Sequence, residues 1–89
     1  MSTVWKFELT PSDVQEIEMP VGAKGLFAAI QYDKVCLWAL VDPIAAKEKR
    51  RIAVVGTGHP APANEAAYVG SVILHGGALV FHIFVEPPA

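Results

Sequence analysis

Turn residues recur along this chain before any segment can grow into an amphipathic helix of ordinary length. Pro11-Ser12-Asp13, Pro20 to Gly25, Asp33-Lys34, Asp42-Pro43, the loop 57–67 and Gly76-Gly77 cut it into short runs. Within the runs, apolar and polar residues alternate with period two, which puts neighbouring side chains on opposite faces of a strand. In TVWKFEL (3–9), Trp5, Phe7 and Leu9 share one face, and Val4, Lys6 and Glu8 the other. In VQEIEM (14–19), Ile17 and Met19 face inward and Glu16 and Glu18 outward. GLFAAIQY (25–32), VCLWALV (35–41), RIAVVG (51–56), YVGSVILH (68–75) and ALVFHIFVE (78–86) continue the series. About seven strands joined by such turns predict a single all-β domain over 1–89, a small antiparallel β-sandwich or barrel. Two stretches depart from the pattern. IAAKEK (44–49) could form one helical turn but is too short to be stable alone, and the alanines of APANEAA (61–67) would tolerate another.

Two of the strands are apolar on both faces. In 35–41, Val35, Leu37, Ala39 and Val41 oppose Cys36, Trp38 and Leu40; in 78–86, Leu79, Phe81, Ile83 and Val85 oppose Val80, His82 and Phe84. A sheet in one small domain turns one face to its core, and 53% hydrophobic against 18% charged residues is more apolar material than 89 residues hide comfortably. The second apolar faces therefore predict a homo-oligomer. A formal net charge of −2 argues against a protein that coats long nucleic acid. The N-terminus lacks the basic start and apolar stretch of a signal peptide, and no run approaches the ~20 apolar residues of a membrane span. With Cys36 as the single cysteine, the expectation is a cytoplasmic protein without disulfides.

The candidate sites lie where cations, glycines and aromatics gather. Four of the seven basic residues lie in Lys47-Glu48-Lys49-Arg50-Arg51. Arginine's planar fork suits a phosphate or carboxylate, and alternation lets only one of Arg50 and Arg51 face a given pocket, with Lys49 sharing the face of Arg51. VVGTGHPAP (54–62) has two glycines and a histidine, but no lysine comes after the last glycine, and the third glycine of a dinucleotide fingerprint is absent. Gly56 and Gly58 free the backbone where a strand exits, and Pro60 and Pro62 stiffen the loop beyond. The same loop can act as a binding loop, with the amides of Gly56, Thr57, Gly58 and His59 beside an imidazole. Tyr68, directly after the loop, is the aromatic expected at the surface, while Trp5 and Trp38 read as core or interface. His59, His75 and His82 lack metal-ligand spacing, and the serines show no nucleophile elbow. No metal, cofactor or enzymatic activity is expected.

Taken together, WKFEL, IEMPVGAK, CLWALVDP, KEKRR, VVGTGHP and GGALVFH resemble, in the same order, the small proteins of an uncharacterised phage and prophage domain family. The resemblance runs from Val4 to about Val85, with 61–67 outside the matched blocks. It implies a phage or prophage origin and a setting in host cytoplasm, and it transfers no catalytic residue. Phage genomes carry small non-enzymatic proteins that sequester a nucleotide signal or occlude a defence enzyme. The expectation is therefore an anti-defence binding protein for a small anionic nucleotide, with ligand contacts from Arg50, Arg51, Gly56, Thr57, Gly58, His59 and Tyr68. The alternative is a protein–protein inhibitor of a host defence complex, or a phage accessory or structural protein.

Overall fold

The computed structural model describes residues 1–63 and 66–88. Its strands are β1 (Thr3–Leu9), β2 (Val14–Pro20), β3 (Lys24–Gln31), β4 (Lys34–Val41), β5 (Lys47–Gly56), β6 (Ala67–Leu74) and β7 (Leu79–Val85). They form two antiparallel sheets, one of three strands in the order β1-β4-β3 and one of four in the order β2-β5-β7-β6. The sheets face each other across a core built from one side of each strand. Val35, Leu37, Ala39 and Val41 come from β4, Ile52 and Val54 from β5, Ile83 and Val85 from β7, and Leu9, Met19 and Val72 from their neighbours. The period-two pattern thus leads to an all-β sandwich: each strand has at least one apolar face, and the two sheets cover one such face of every strand for each other.

The sandwich is pinched shut along one side, where the edges of β3 and β6 meet. Both strands carry a register shift there, between Gly25 and Phe27 in β3 and between Tyr68 and Gly70 in β6. Two glycines permit the approach. A β-carbon on Gly25 would sit 2.8 Å from Cγ2 of Val69, and one on Gly70 would sit 3.4 Å from Cβ of Ala28. The opposite side, between β1 and β2, has no such closure.

Two local expectations change, and a third falls partly outside the described residues. Residues 44–49 form no helical turn. Asp42 closes a tight turn by accepting from the amides of Ala45 (3.1 Å) and, through its side chain, Ile44 (3.3 Å). β5 then starts at Lys47 and pairs with β2 along the whole length of β2, setting Glu18 opposite Lys49 and Glu16 opposite Arg51. One isolated turn of helix cannot compete with that full ladder and its opposite-charge pairs. The β3–β4 hairpin turns at Tyr32-Asp33 rather than Asp33-Lys34. Both residues have positive φ (50° and 62°), the conformation a two-residue hairpin needs, and Lys34 joins the ladder opposite Gln31. The third expectation, a helical turn in 61–67, falls partly on positions 64 and 65, outside the described residues; 61–63 and 66 carry no helix, and Ala67 already belongs to β6.

The outer face of the three-stranded sheet explains how β4 tolerates a second apolar side. Lys6 stands opposite Trp38, and Gln31 opposite Lys34. The 2.9 Å hydrogen bond from Lys6 Nζ to Gln31 Oε1 therefore runs diagonally over Cys36, which is fully buried. Phe27 lies against Trp38, ring centroids 5.7 Å apart, while remaining exposed itself.

Candidate functional site

The outer face of the four-stranded sheet carries the chemistry. Its central strand β5 turns Arg51, Ala53 and Val55 outward, and the loop after Gly56 folds back over them. The result is a cleft of about 330 Å³ with Val14, Ala53 and Val55 beneath, His59 and the prolines of the loop above, and Arg51, Asp13 and Glu86 at its rim. Small residues at 53 and 55 leave the room, and Gly56 lets the imidazole of His59 lie close to the strand end. A β-carbon at Gly56 would come within 3.2 Å of the His59 ring. The turn is fixed by the His59 amide donating to the Gly56 carbonyl at 3.0 Å, with Gly58 at φ +91° supplying the left-handed step.

Arg51 and His59, two of the residues singled out by sequence, meet at this cleft. Arg51 is largely exposed, and its guanidinium lies 3.4 Å from Oε2 of Glu86. Arg50 points the other way. It is 7% exposed, and its Nη1 donates to the Ala23 carbonyl at 3.0 Å. Its Nε and Nη2 both donate to the Glu86 carbonyl at 3.2 Å, and Glu48 lies 3.7 Å from Nη1. That side chain ties the start of β3 and the end of β7 to β5; its role is structural. The amide cradle expected of Gly56–His59 is also reduced, because the Thr57 amide donates to Val80 and the His59 amide to Gly56. The side-chain groups the loop presents are the His59 imidazole at the cleft and the Thr57 hydroxyl beside it.

Beside the cleft, two strands further along the same face, runs a row of polar groups in hydrogen-bonding contact. Tyr68 Oη lies 2.7 Å from Ser71 Oγ, and Ser71 Oγ lies 2.7 Å from Nδ1 of His82. The other ring nitrogen, Nε2, lies 2.8 Å from Thr57 Oγ1. His82 stands opposite Val55 on one side and Ser71 on the other, so row and cleft are continuous. Tyr68 also meets Phe84 edge-on at 5.5 Å while staying exposed. Neutral imidazole has one N–H and one lone pair. The row therefore runs in one direction or the other, with a free hydroxyl proton at one end and a free acceptor at the opposite end. The Ser71–His82 contact is also the one a nucleophile makes with its base. Here, however, the far nitrogen meets an uncharged hydroxyl, which stabilises an imidazolium far less than a carboxylate does. The row is built for hydrogen bonding.

Ser71, His82 and Phe84 were not among the residues picked from sequence, although a signal existed. A Gly76-Gly77 hairpin pairs Leu74 with Leu79, and the same register carried back puts Ser71 opposite His82. Strict alternation would then have turned Tyr68 into the core with Val72 and Leu74. The bulge at Val69 reverses it onto the outer face.

Among the described residues no group of histidine, cysteine and carboxylate side chains has the convergence of a metal site, and no helix is long and apolar enough to cross a membrane. A family model described as a domain of unknown function (DUF7352) matches the sequence over residues 1–89. No curated protein and no solved structure matches.

Proposed function

We propose that this chain, which belongs to the DUF7352 family of domains of unknown function, is a non-enzymatic binding protein that sequesters a small anionic nucleotide. What supports the reading is one juxtaposition: an exposed arginine and an imidazole at a shared cleft, beside an exposed tyrosine backed by a phenylalanine. Arg51 and His59 hold the phosphate. Tyr68, two strand spacings (about 10 Å) from β5, and Phe84 on the strand between them offer the base a stacking surface, as aromatic platforms do in nucleotide binders. The Thr57 and Tyr68 ends of the polar row meet the ligand's acceptors and donors.

The rim also carries Asp13 and Glu86. A single guanidinium, itself paired with Glu86, between two carboxylates favours a single negative charge, so the ligand class is a phosphodiester, linear or cyclic, over a triphosphate. The phage resemblance makes a signalling nucleotide of host defence the natural occupant of such a site.

Isothermal titration against linear and cyclic mono- and dinucleotides tests this. Arg51→Ala should weaken binding about tenfold or more, the worth of a charge-assisted hydrogen bond. Glu86→Gln, which releases Arg51 and removes a repelling charge, should tighten it. Absence of heat with every nucleotide, or tighter binding of triphosphates than of phosphodiesters, contradicts the reading. A second reading, inhibition of a host defence complex by protein contact, draws on exposed Val4, Phe27 and Leu40 on the outer face of the three-stranded sheet. A stoichiometric protein partner whose binding Phe27→Ser abolishes would favour it.

A further inference from the structure

Four strands stand at sheet edges, and they are treated differently. β3 and β6 cover each other at the pinched side, where Gly25 meets Val69 and Gly70 meets Ala28. β2 and β1 each pair with one neighbour only, leaving a row of backbone donors and acceptors along the far side of each. β2 is protected against its own copy. An antiparallel pairing of two β2 strands centred on Ile17 sets Glu16 opposite the second copy's Glu18, and centring it on Glu16 or Glu18 sets that acid opposite itself. The strand also ends in Pro20, which has no amide to donate.

β1 has the opposite character. Centred on Phe7, an antiparallel β1–β1 pairing sets Lys6 opposite the second copy's Glu8, and by symmetry Glu8 opposite the second copy's Lys6. On the inner face the same register stacks Trp5 on the second copy's Leu9 and Phe7 on its own equivalent. Trp5 and Phe7 are only half-buried in one chain, packed against the rim of the core at the unclosed side. Shifting the centre by one residue either way sets Lys6 opposite Lys6 or Glu8 opposite Glu8. Lys6 keeps spare donors after its bond to Gln31.

We infer that the β1 edge is a homodimer interface, in which two copies pair antiparallel about Phe7 and join their three-stranded sheets into one of six strands. The contact is isologous, with the same patch on both copies, and closes on itself. It stands apart from the nucleotide reading, since the Arg51–His59 cleft lies on the other sheet.

The test uses charge exchange on the full chain, with mass read by light scattering along a dilution series and folding checked by circular dichroism. Wild type should be a dimer. Lys6→Glu and Glu8→Lys should each shift the dissociation constant up about tenfold or more, because both copies then oppose like charges. The doubly exchanged chain, Lys6→Glu with Glu8→Lys, should return to wild-type dimerisation. Mixing the two single variants should give a heterodimer, since one brings two acids in β1 and the other two bases. Glu8→Lys keeps the test decisive if Lys6→Glu disturbs the Gln31 contact. A wild-type monomer at every concentration overturns the inference, as does a dimer indifferent to these exchanges or a failure of the folded single variants to pair.

Discussion

Adjacent arginines on one strand have opposite fates here, and that difference can be measured. Arg50→Met removes a guanidinium that is almost fully enclosed and serves two carbonyls, Ala23 at 3.0 Å and Glu86 at 3.2 Å twice over. A buried carbonyl left without a donor loses about 1–3 kcal/mol, less where it is partly solvated. Taking the middle of that range for Ala23 and the low end for the part-buried Glu86 carbonyl gives about 3 kcal/mol. Glu48 Oε2, buried without a hydrogen-bond partner and 3.7 Å from Nη1, loses its nearby cation as well. A domain of this size has about 5–15 kcal/mol of total stability. At about 4–8 °C per kcal/mol, the melting temperature should fall by about 12–24 °C. Arg51→Met is the internal control. Its partner Glu86 is 3.4 Å away and its side chain is 58% exposed, so the loss should stay below about 0.5 kcal/mol. Thermal and urea unfolding followed by circular dichroism read both. If Arg50→Met melts as close to wild type as Arg51→Met does, the assignment of Arg50 as a structural tie is wrong.

Gly25→Ala should destabilise by about 1–2 kcal/mol, since its β-carbon meets Cγ2 of Val69 at 2.8 Å, and Val69→Ala in the same chain should recover part of that in urea titrations. Cys36, buried beneath the Lys6–Gln31 contact, should react with a thiol reagent only as the protein opens. Lys6→Ala should accelerate that reaction in native buffer, and an unchanged rate would show that the contact does not cover the thiol. Ser71→Ala breaks the Tyr68–Ser71–His82–Thr57 row in the middle. The nitrogen-15 shifts of the His82 ring should then change, with a stability loss of about 0.5–1.5 kcal/mol; a ring indifferent to the substitution would mean the row is not a connected unit.

The inward faces of β1 and β2 are legible from the residues alone. In β1 and β2 any other orientation would bury Glu16, Glu18 or Lys6, and charges are not buried without partners; β4 and β7, apolar on both faces, carry no such signal. The same alternation placed Arg50 and Arg51 on opposite faces, and the glycines of GTGH marked where a strand exits into a loop. Two things were decided only in three dimensions. The first is which arginine faces solvent: that required knowing that the Glu86 and Ala23 carbonyls, distant in sequence, wait on the inner side of β5. The second is the position of Tyr68. One extra residue at Val69 interrupts the ladder with β7 and turns the tyrosine out beside Ser71 and Phe84. A bulge of that kind answers the need of two sheet edges to meet at Gly25 and Gly70, a requirement set by the closing of the sandwich and by no local propensity.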